Sequence, residues 1–333
     1  AALRGESIDP PPPRAYGDYI AWLQELDAAK AEKFWRQSLK GFRATTPLVV
    51  DKKPQAGDTG FRQGDQEVRI STNATAALQN LAAENQLTLN TLVQGAWALL
   101  LHRYSGEEDI VFGATRACRR STVAGAENMV GLFINTLPVR VPINPEEPLL
   151  PWLQRLREQW VAMRDFEHTP LVKVQAWSDV PPGMALFDSI VVFENFLLNT
   201  SLRAQGGTWG NRQFRLYEQT NFPLTLAVYS GAELCLKMEF DRSRFDDDVI
   251  GRMLGHLKSL LEGMAANPGS KLGDLPLLAA EERRELLVDW NASHSSYPAH
   301  KTLHELFEEQ SARTPNNAAL TCDGAQLTYR ELN

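Results

Sequence analysis

The chain has 333 residues, too many for one small domain and enough for about two at roughly 150 residues each. At 43% hydrophobic and 23% charged it has the composition of a globular protein, which excludes wholesale disorder. A net charge of −7 lacks the basic excess of a nucleic-acid binder, and three cysteines, at positions 118, 235 and 322, are too few and too scattered for a disulfide scaffold or a zinc knuckle.

In chain order, Asp9–Arg14 reads DPPPPR, an extended polyproline segment. One helix is predicted from about Tyr16 to Leu39, with Trp22, Leu26, Phe34, Trp35 and Leu39 on one stripe. Residues 43–65 carry Pro47, Pro54, Gly57, Gly60 and Gly64 and read as an exposed loop. A short strand follows at Glu67–Ile70, then a helical hairpin. Ser71, Thr72 or Asn73 can cap its first helix, and Thr88 or Asn90 its second, before Gly106. The longest uninterrupted apolar run, Ala96–Leu101, falls far short of the roughly 20 residues of a membrane span. With no signal-peptide pattern at the N-terminus, a cytoplasmic protein is expected.

Strands are predicted at Asp109–Gly113 and Val130–Val141, with residues 115–128 a polar loop between them. A helix over Trp152–Phe166 puts Leu153, Leu156, Trp160 and Met163 on one side. Ser189–Phe193 is a continuous apolar run, the pattern of a buried central strand. Residues 199–211 are rich in Gly and Asn. Leu224–Tyr229 and Glu233–Phe240 flank Ser230-Gly231 as a hairpin. A long helix over Asp246–Ala265 closes an α/β unit. Beyond it, Glu281–Trp290 and Leu303–Ser311 read as helices, and Asp323-Gly324 marks a second hairpin. Both ends of the chain read as cuts through a larger protein.

The six histidines show no metal spacing, and neither a GxSxG elbow nor a GxxxxGK loop is present. His102 is expected to be structural, His256 to face solvent, and His168 to cap a helix C-terminus. Arg140 is expected to be an ion-pair partner. These residues alone name no reaction.

Several segments together resemble a nonribosomal peptide synthetase. Tyr16–Trp22 (YGDYIAW) is similar to the condensation-domain signature YxDYAxW, and Val130–Arg140 (VGLFINTLPVR) to (I/V)GxFxNTxxxR. Asp109–Gly113 and Leu186–Asn195 also resemble that family. Leu303–Phe307 with Leu327–Leu332 (LTYREL) resembles the opening of an adenylation domain. The family's HHxxxDG motif is absent, His168–Leu171 departs from its HQDxPFE block, and no LGGxS carrier motif is found.

The resemblance implies a chloramphenicol acetyltransferase-like α/β subdomain, a mixed sheet flanked by helices, with an incomplete C-terminal tail. The implied organisation is 1–65 linking helix and loop after the missing catalytic motif, 66–270 C-terminal subdomain of a condensation domain, 271–302 linker and 303–333 truncated start of an adenylation domain. The implied reaction joins a carrier-bound acyl or peptidyl thioester to a carrier-bound aminoacyl thioester. This chain would lack the catalytic residues and be inactive alone. Asn135 and Thr136 would form a loop at the tunnel floor, and Ser189, Asn195, Thr220 and Asn221 would line its wall. The local alternatives are a turn residue for Asn135 and strand termination for Asn195. No cofactor or metal would bind; phosphopantetheine arms would arrive on upstream and downstream peptidyl carrier domains. The missing N-terminal subdomain and an adenylation domain would be the other partners, with no nucleic acid or membrane. A non-catalytic carrier-docking scaffold is the alternative function.

Overall fold

The computed structural model describes residues 14–48, 50–52, 62–119, 123–194, 220–293, 296 and 298–333. The polyproline run before Arg14, the 199–211 stretch, His294 and Asn195 lie outside these residues. The chain divides into two compact units, Ala1–Ala279 and Ala280–Asn333.

The larger unit begins with two helices, α1 (Tyr16–Glu25) and α2 (Ala28–Ser38), where one was expected. Leu26 is extended and the Asp27 carboxylate accepts from the amides of Ala29 and Lys30, so a cap interrupts an apolar stripe that is otherwise continuous. Strand β1 runs Gln63–Ile70, four residues longer at its start than the apolar pattern suggested. Its polar residues are held by backbone pairing to the neighbouring strand rather than by burial.

Helix α3 (Thr72–Glu84) starts at Ser71 and α4 (Leu89–Ser105) at Thr88, each hydroxyl accepting an amide hydrogen of the first turn. Such caps contribute about 1 kcal/mol each. Strand β2 extends over Asp109–Ala117, so the first three residues of the expected loop are strand. Strand β3 is Ile134–Pro142, shorter at its start than expected, and helix α5 (Leu149–Ala162) passes into a 3₁₀ turn at Met163–Phe166. After the short α6 (Leu171–Ala176) come β4 (Ser189–Glu194), β5 (Leu224–Tyr229), β6 (Leu234–Asp241) and the long α7 (Asp247–Ala266).

The six strands form one sheet in the order β1-β6-β5-β4-β2-β3. Strands β2, β4 and β5 are mutually parallel, and the outer pairings are antiparallel. This is the mixed sheet expected, with β4 in the interior. Both sides of β5 are covered, because Thr225 and Ala227 are buried along with Leu224, Leu226 and Val228. Helix α7 buries Ile250, Met253, Leu254, Leu257, Leu260, Leu261 and Met264, the spacing read from the sequence. Full burial of such side chains contributes roughly 1.5–3 kcal/mol each. His256 is buried too, with its Nδ1 2.8 Å from the Tyr104 hydroxyl of α4; the expected solvent contact is not found. Arg140 makes the expected ion pair, both of its hydrogen bonds to Asp109 spanning 2.7–2.8 Å.

In the smaller unit, α8 (Ala280–Arg284) runs into a π turn at Glu285–Asp289. Helix α9 (Leu303–Arg313) precedes the hairpin of β7 (Ala318–Cys322) and β8 (Ala325–Thr328) and the closing turn α10 (Tyr329–Leu332). Asp323 and Gly324 both have positive φ, 48° and 82°, the geometry a two-residue hairpin turn requires. The Ser311 hydroxyl donates to Tyr329 O at 3.0 Å, and the Phe307 and Tyr329 rings lie 5.7 Å apart.

Candidate functional site

In open sheets with parallel strands, ligands lodge in the crevice beyond the strand carboxyl ends. Here a cleft of about 650 Å³ lies at the ends of β2, β4 and β5, lined by Thr115, Arg116, Phe193 and Ser230. The head of the 17-residue α4 adds Thr88 and Asn90, and the far wall is Arg157, Trp160 and Glu167.

Arg116 and Glu167 form a buried pair in that wall. Their side chains are 7% and 6% exposed, and Nε to Oε2 is 2.8 Å. Arg116 also donates to Trp160 O at 3.0 Å, and its guanidinium lies 4.0 Å from the Trp160 ring centroid. Burial pulls the Arg116 pKa below the usual arginine range, against the charge and hydrogen bond of Glu167. The Cys118 thiol donates to Glu167 O at 3.4 Å, and burial pushes its pKa up to about 12.

The two signature segments, more than a hundred residues apart in sequence, are in contact. Residues 130–135 alternate. Phe133 is buried, Asn135 half-buried and Gly131 set against the Tyr16 ring, while Val130, Leu132 and Ile134 turn out and are 84%, 69% and 57% exposed. Each of the first three has its own partner. A Cβ on Gly131 would overlap the Tyr16 ring, whose hydroxyl donates to Leu132 O at 2.5 Å. Phe133 packs on Tyr19 at 4.5 Å between centroids, within a small cluster with Ala126 and Met129. Asn135 donates from Nδ2 to both Glu167 O and Thr169 O, each at 2.8 Å.

The GxFxN spacing thus gives each of its three named residues a separate partner across a bend at Gly131 and the start of β3. Arg119 braces the loop before it, donating to Ala126 O and Met129 O and lying 4.1 Å from the Phe133 ring. His168 does not cap a helix. Its Nδ1 is 3.2 Å from the Tyr19 hydroxyl, and its ring meets Trp22 edge-on at 4.8 Å. Burial pushes the Tyr19 pKa up to about 12, with Cys118 and Tyr16 adding to it.

Asn135 and Thr136 therefore lie beside the cleft end of β2, opposite Arg116 and Thr115. Ser189, Thr220 and Asn221 lie at the other end of the sheet. Ser189 is the buried first residue of β4, and Ile190 is level with Gly113, three residues before Arg116. At about 3.3 Å per residue the separation is roughly 10–13 Å. Thr220 shares a 2.8 Å hydrogen bond with Thr225, and Asn221 is exposed. The structure groups the described candidates into two sets. Sequence reasoning missed Arg116, Cys118 and Glu167. Arg116 and Cys118 sit in a stretch read as loop, and Glu167 carries no local signal. Among the described residues, no group of three acidic, His or Cys side chains could hold a metal ion, and no helix is long and apolar enough to cross a membrane.

The mixed sheet with parallel inner strands, flanked by helices, is shared with solved condensation domains, which have the chloramphenicol acetyltransferase-like fold. Among solved structures, a four-domain nonribosomal peptide synthetase bound to AMP and glycine matches 92% of this chain and 24% of its own, at TM-score 0.73 and 20% identity. The X-domain from teicoplanin biosynthesis matches 84% of this chain and 66% of its own, at TM-score 0.68 and 21% identity. The condensation-domain family matches residues 1–287, and the chain belongs to that family, as found in nonribosomal peptide synthetases. It is 44% identical to a linear gramicidin synthase from Brevibacillus parabrevis over 99% of its length, and 33% identical to bacitracin synthase 3 of Bacillus licheniformis over 96%. It spans 6% and 5% of those proteins.

Proposed function

We propose that this chain works within a nonribosomal peptide synthetase, in the condensation step that joins two carrier-bound thioesters. An acceptor amine attacks the donor thioester carbonyl. The C–N bond forms, the C–S bond breaks, and the donor arm leaves as a thiol while the amine gives up a proton. Phosphopantetheine arms on upstream and downstream peptidyl carrier domains deliver both ends. The observation that carries the reading is the contact between the two signature segments, the second of which runs beside the end of β2, where Thr115 and Arg116 line a cleft at the carboxyl ends of three parallel strands. Asn135 and Thr136 belong to the floor of a tunnel that opens at this cleft, and Ser189, Thr220 and Asn221, at the other end of the sheet, to its wall farther along.

In this reading catalysis falls to an HHxxxDG motif on a subdomain N-terminal to these residues, and the 333-residue chain alone forms no amide. The outward row of Val130, Leu132 and Ile134 supports a surface that another part of the domain covers. Residues 271–302 serve as linker and 303–333 as the opening of an adenylation domain. Exposed Leu287, Trp290 and Leu303 support a smaller unit completed by further chain.

The test combines the chain with the N-terminal subdomain of its synthetase and two loaded carriers, following dipeptidyl-carrier mass. Product only with both parts supports the reading. Product from the chain alone refutes the division of labour, and carrier binding without any product supports a docking scaffold instead.

A further inference from the structure

The turn at residues 167–169 is held from three sides. Asn135 reaches it from β3 and spends both amide hydrogens of one Nδ2 on two carbonyls, Glu167 O and Thr169 O, at 2.8 Å each. Arg116, the residue paired with Asn135 across the β2–β3 ladder, binds the Glu167 carboxylate and the Trp160 carbonyl. From the other side, the Tyr19 hydroxyl meets His168 Nδ1.

Only a primary amide offers two hydrogens from one atom on so short a stem. An aspartate of the same shape would set an acceptor against two carbonyl acceptors. Asn135 is absent from the cleft lining, whereas Arg116, Trp160 and Glu167 form it. The buried pair is also the only part of this arrangement whose two charges need a fixed separation to compensate each other.

We propose that Asn135 is a positioning residue, which clamps the 167–169 turn and thereby fixes the Arg116–Glu167 pair and Trp160 as one wall of the strand-end cleft. The role rests on the condensation reading above. Asn135 touches no substrate; it sets the wall against which a tethered thioester is aligned, and alignment of that kind governs the rate of the bound complex more than its formation.

The test uses the complete synthetase module with both carriers, plus a soluble aminoacyl N-acetylcysteamine thioester as acceptor so that KM and kcat separate. Asn135→Asp is expected to lower kcat on the order of 10²-fold while KM stays within about threefold. Ile250→Val, which trims core packing on α7, controls for stability and is expected to keep the wild-type rate. The double variant Arg116→Met, Glu167→Met keeps the wall packed without its charges and is expected to reproduce the kcat loss. Faster hydrogen exchange at the 167–169 amides of Asn135→Asp, with the rest of the unit protected as in wild type, is the matching structural signature.

A wild-type kcat in folded Asn135→Asp overturns the inference, as does a loss confined to KM. If Asn135→Asp does not fold, a wild-type kcat in the double variant overturns it. A wild-type module that makes no dipeptide refutes the condensation reading itself, and the inference with it.

Discussion

Adding one methyl group at Gly131 tests whether the two signature segments are truly one unit. The new Cβ would overlap two Tyr16 ring atoms, far inside contact distance, and lie 2.7 Å from the Cγ at the root of the ring. A shift of the ring tip cannot relieve this, so the whole side chain must swing out. The swing forfeits the Tyr16 hydrogen bond to Leu132 O, about 0.5–1 kcal/mol at an exposed site. It also forfeits ring contacts to Tyr19 at 5.4 Å and Phe133 at 5.5 Å, about 0.5–1 kcal/mol each. Losing glycine restricts the unfolded chain and returns about 0.4–1 kcal/mol. Gly131→Ala should therefore destabilise the larger unit by about 0.5–2.5 kcal/mol. Urea melts followed by tryptophan emission measure this as a lowered midpoint at unchanged slope. In a Tyr16→Ala background the ring is gone, and the same methyl should cost less than about 0.5 kcal/mol. An equal cost with and without the ring would refute the steric argument.

Other consequences can be checked on the same chain. Arg116→Ala strands a carboxylate that is almost fully buried and should cost about 3–5 kcal/mol, whereas replacing both partners with methionine should be close to neutral by urea midpoint. Asp27→Ala removes the cap that accepts from Ala29 and Lys30 and should cost about 1 kcal/mol, visible as faster hydrogen exchange in the first turn of α2. Stability should fall with rising pH on the alkaline side. Folding raises the pKa of Cys118 from 9.0, and that of Tyr19 from 10.0, to about 12 each, so the folded state keeps protons that the unfolded chain has released. This contribution is complete below about pH 9 and is lost as pH approaches 12. Urea midpoints at pH 8, 10 and 11 should show the decline, and Cys118→Ala should make it shallower.

Much of the framework was legible because it is written locally. The apolar spacing of Ile250 through Met264 gave α7, the continuous run at Ser189–Phe193 gave an interior strand, and Asp323-Gly324 gave a tight hairpin. What escaped was set by partners distant in sequence. Residues 63–66 are strand because β6 offers a backbone ladder, not because their side chains alternate. His168 looked like a helix cap because nothing nearby announces Tyr19, 149 residues before it. His256 looked like a surface residue until Tyr104 supplied a buried hydroxyl. The break between α1 and α2 was legible locally, because Asp27 is an acceptable cap followed by good helix formers.

The Tyr16–Gly131 contact also bears on hybrid synthetases assembled from different parents. A crossover placed between the end of α1 and the start of β1 keeps all six strands of the sheet from one parent but draws the ring and the glycine from separate lineages. A donor that carries a side chain at the second position, grafted onto a recipient that keeps the tyrosine, inherits a collision no measure of overall similarity would flag. Seams cut before Tyr16 or after the end of β3 carry both members together and keep the joint matched.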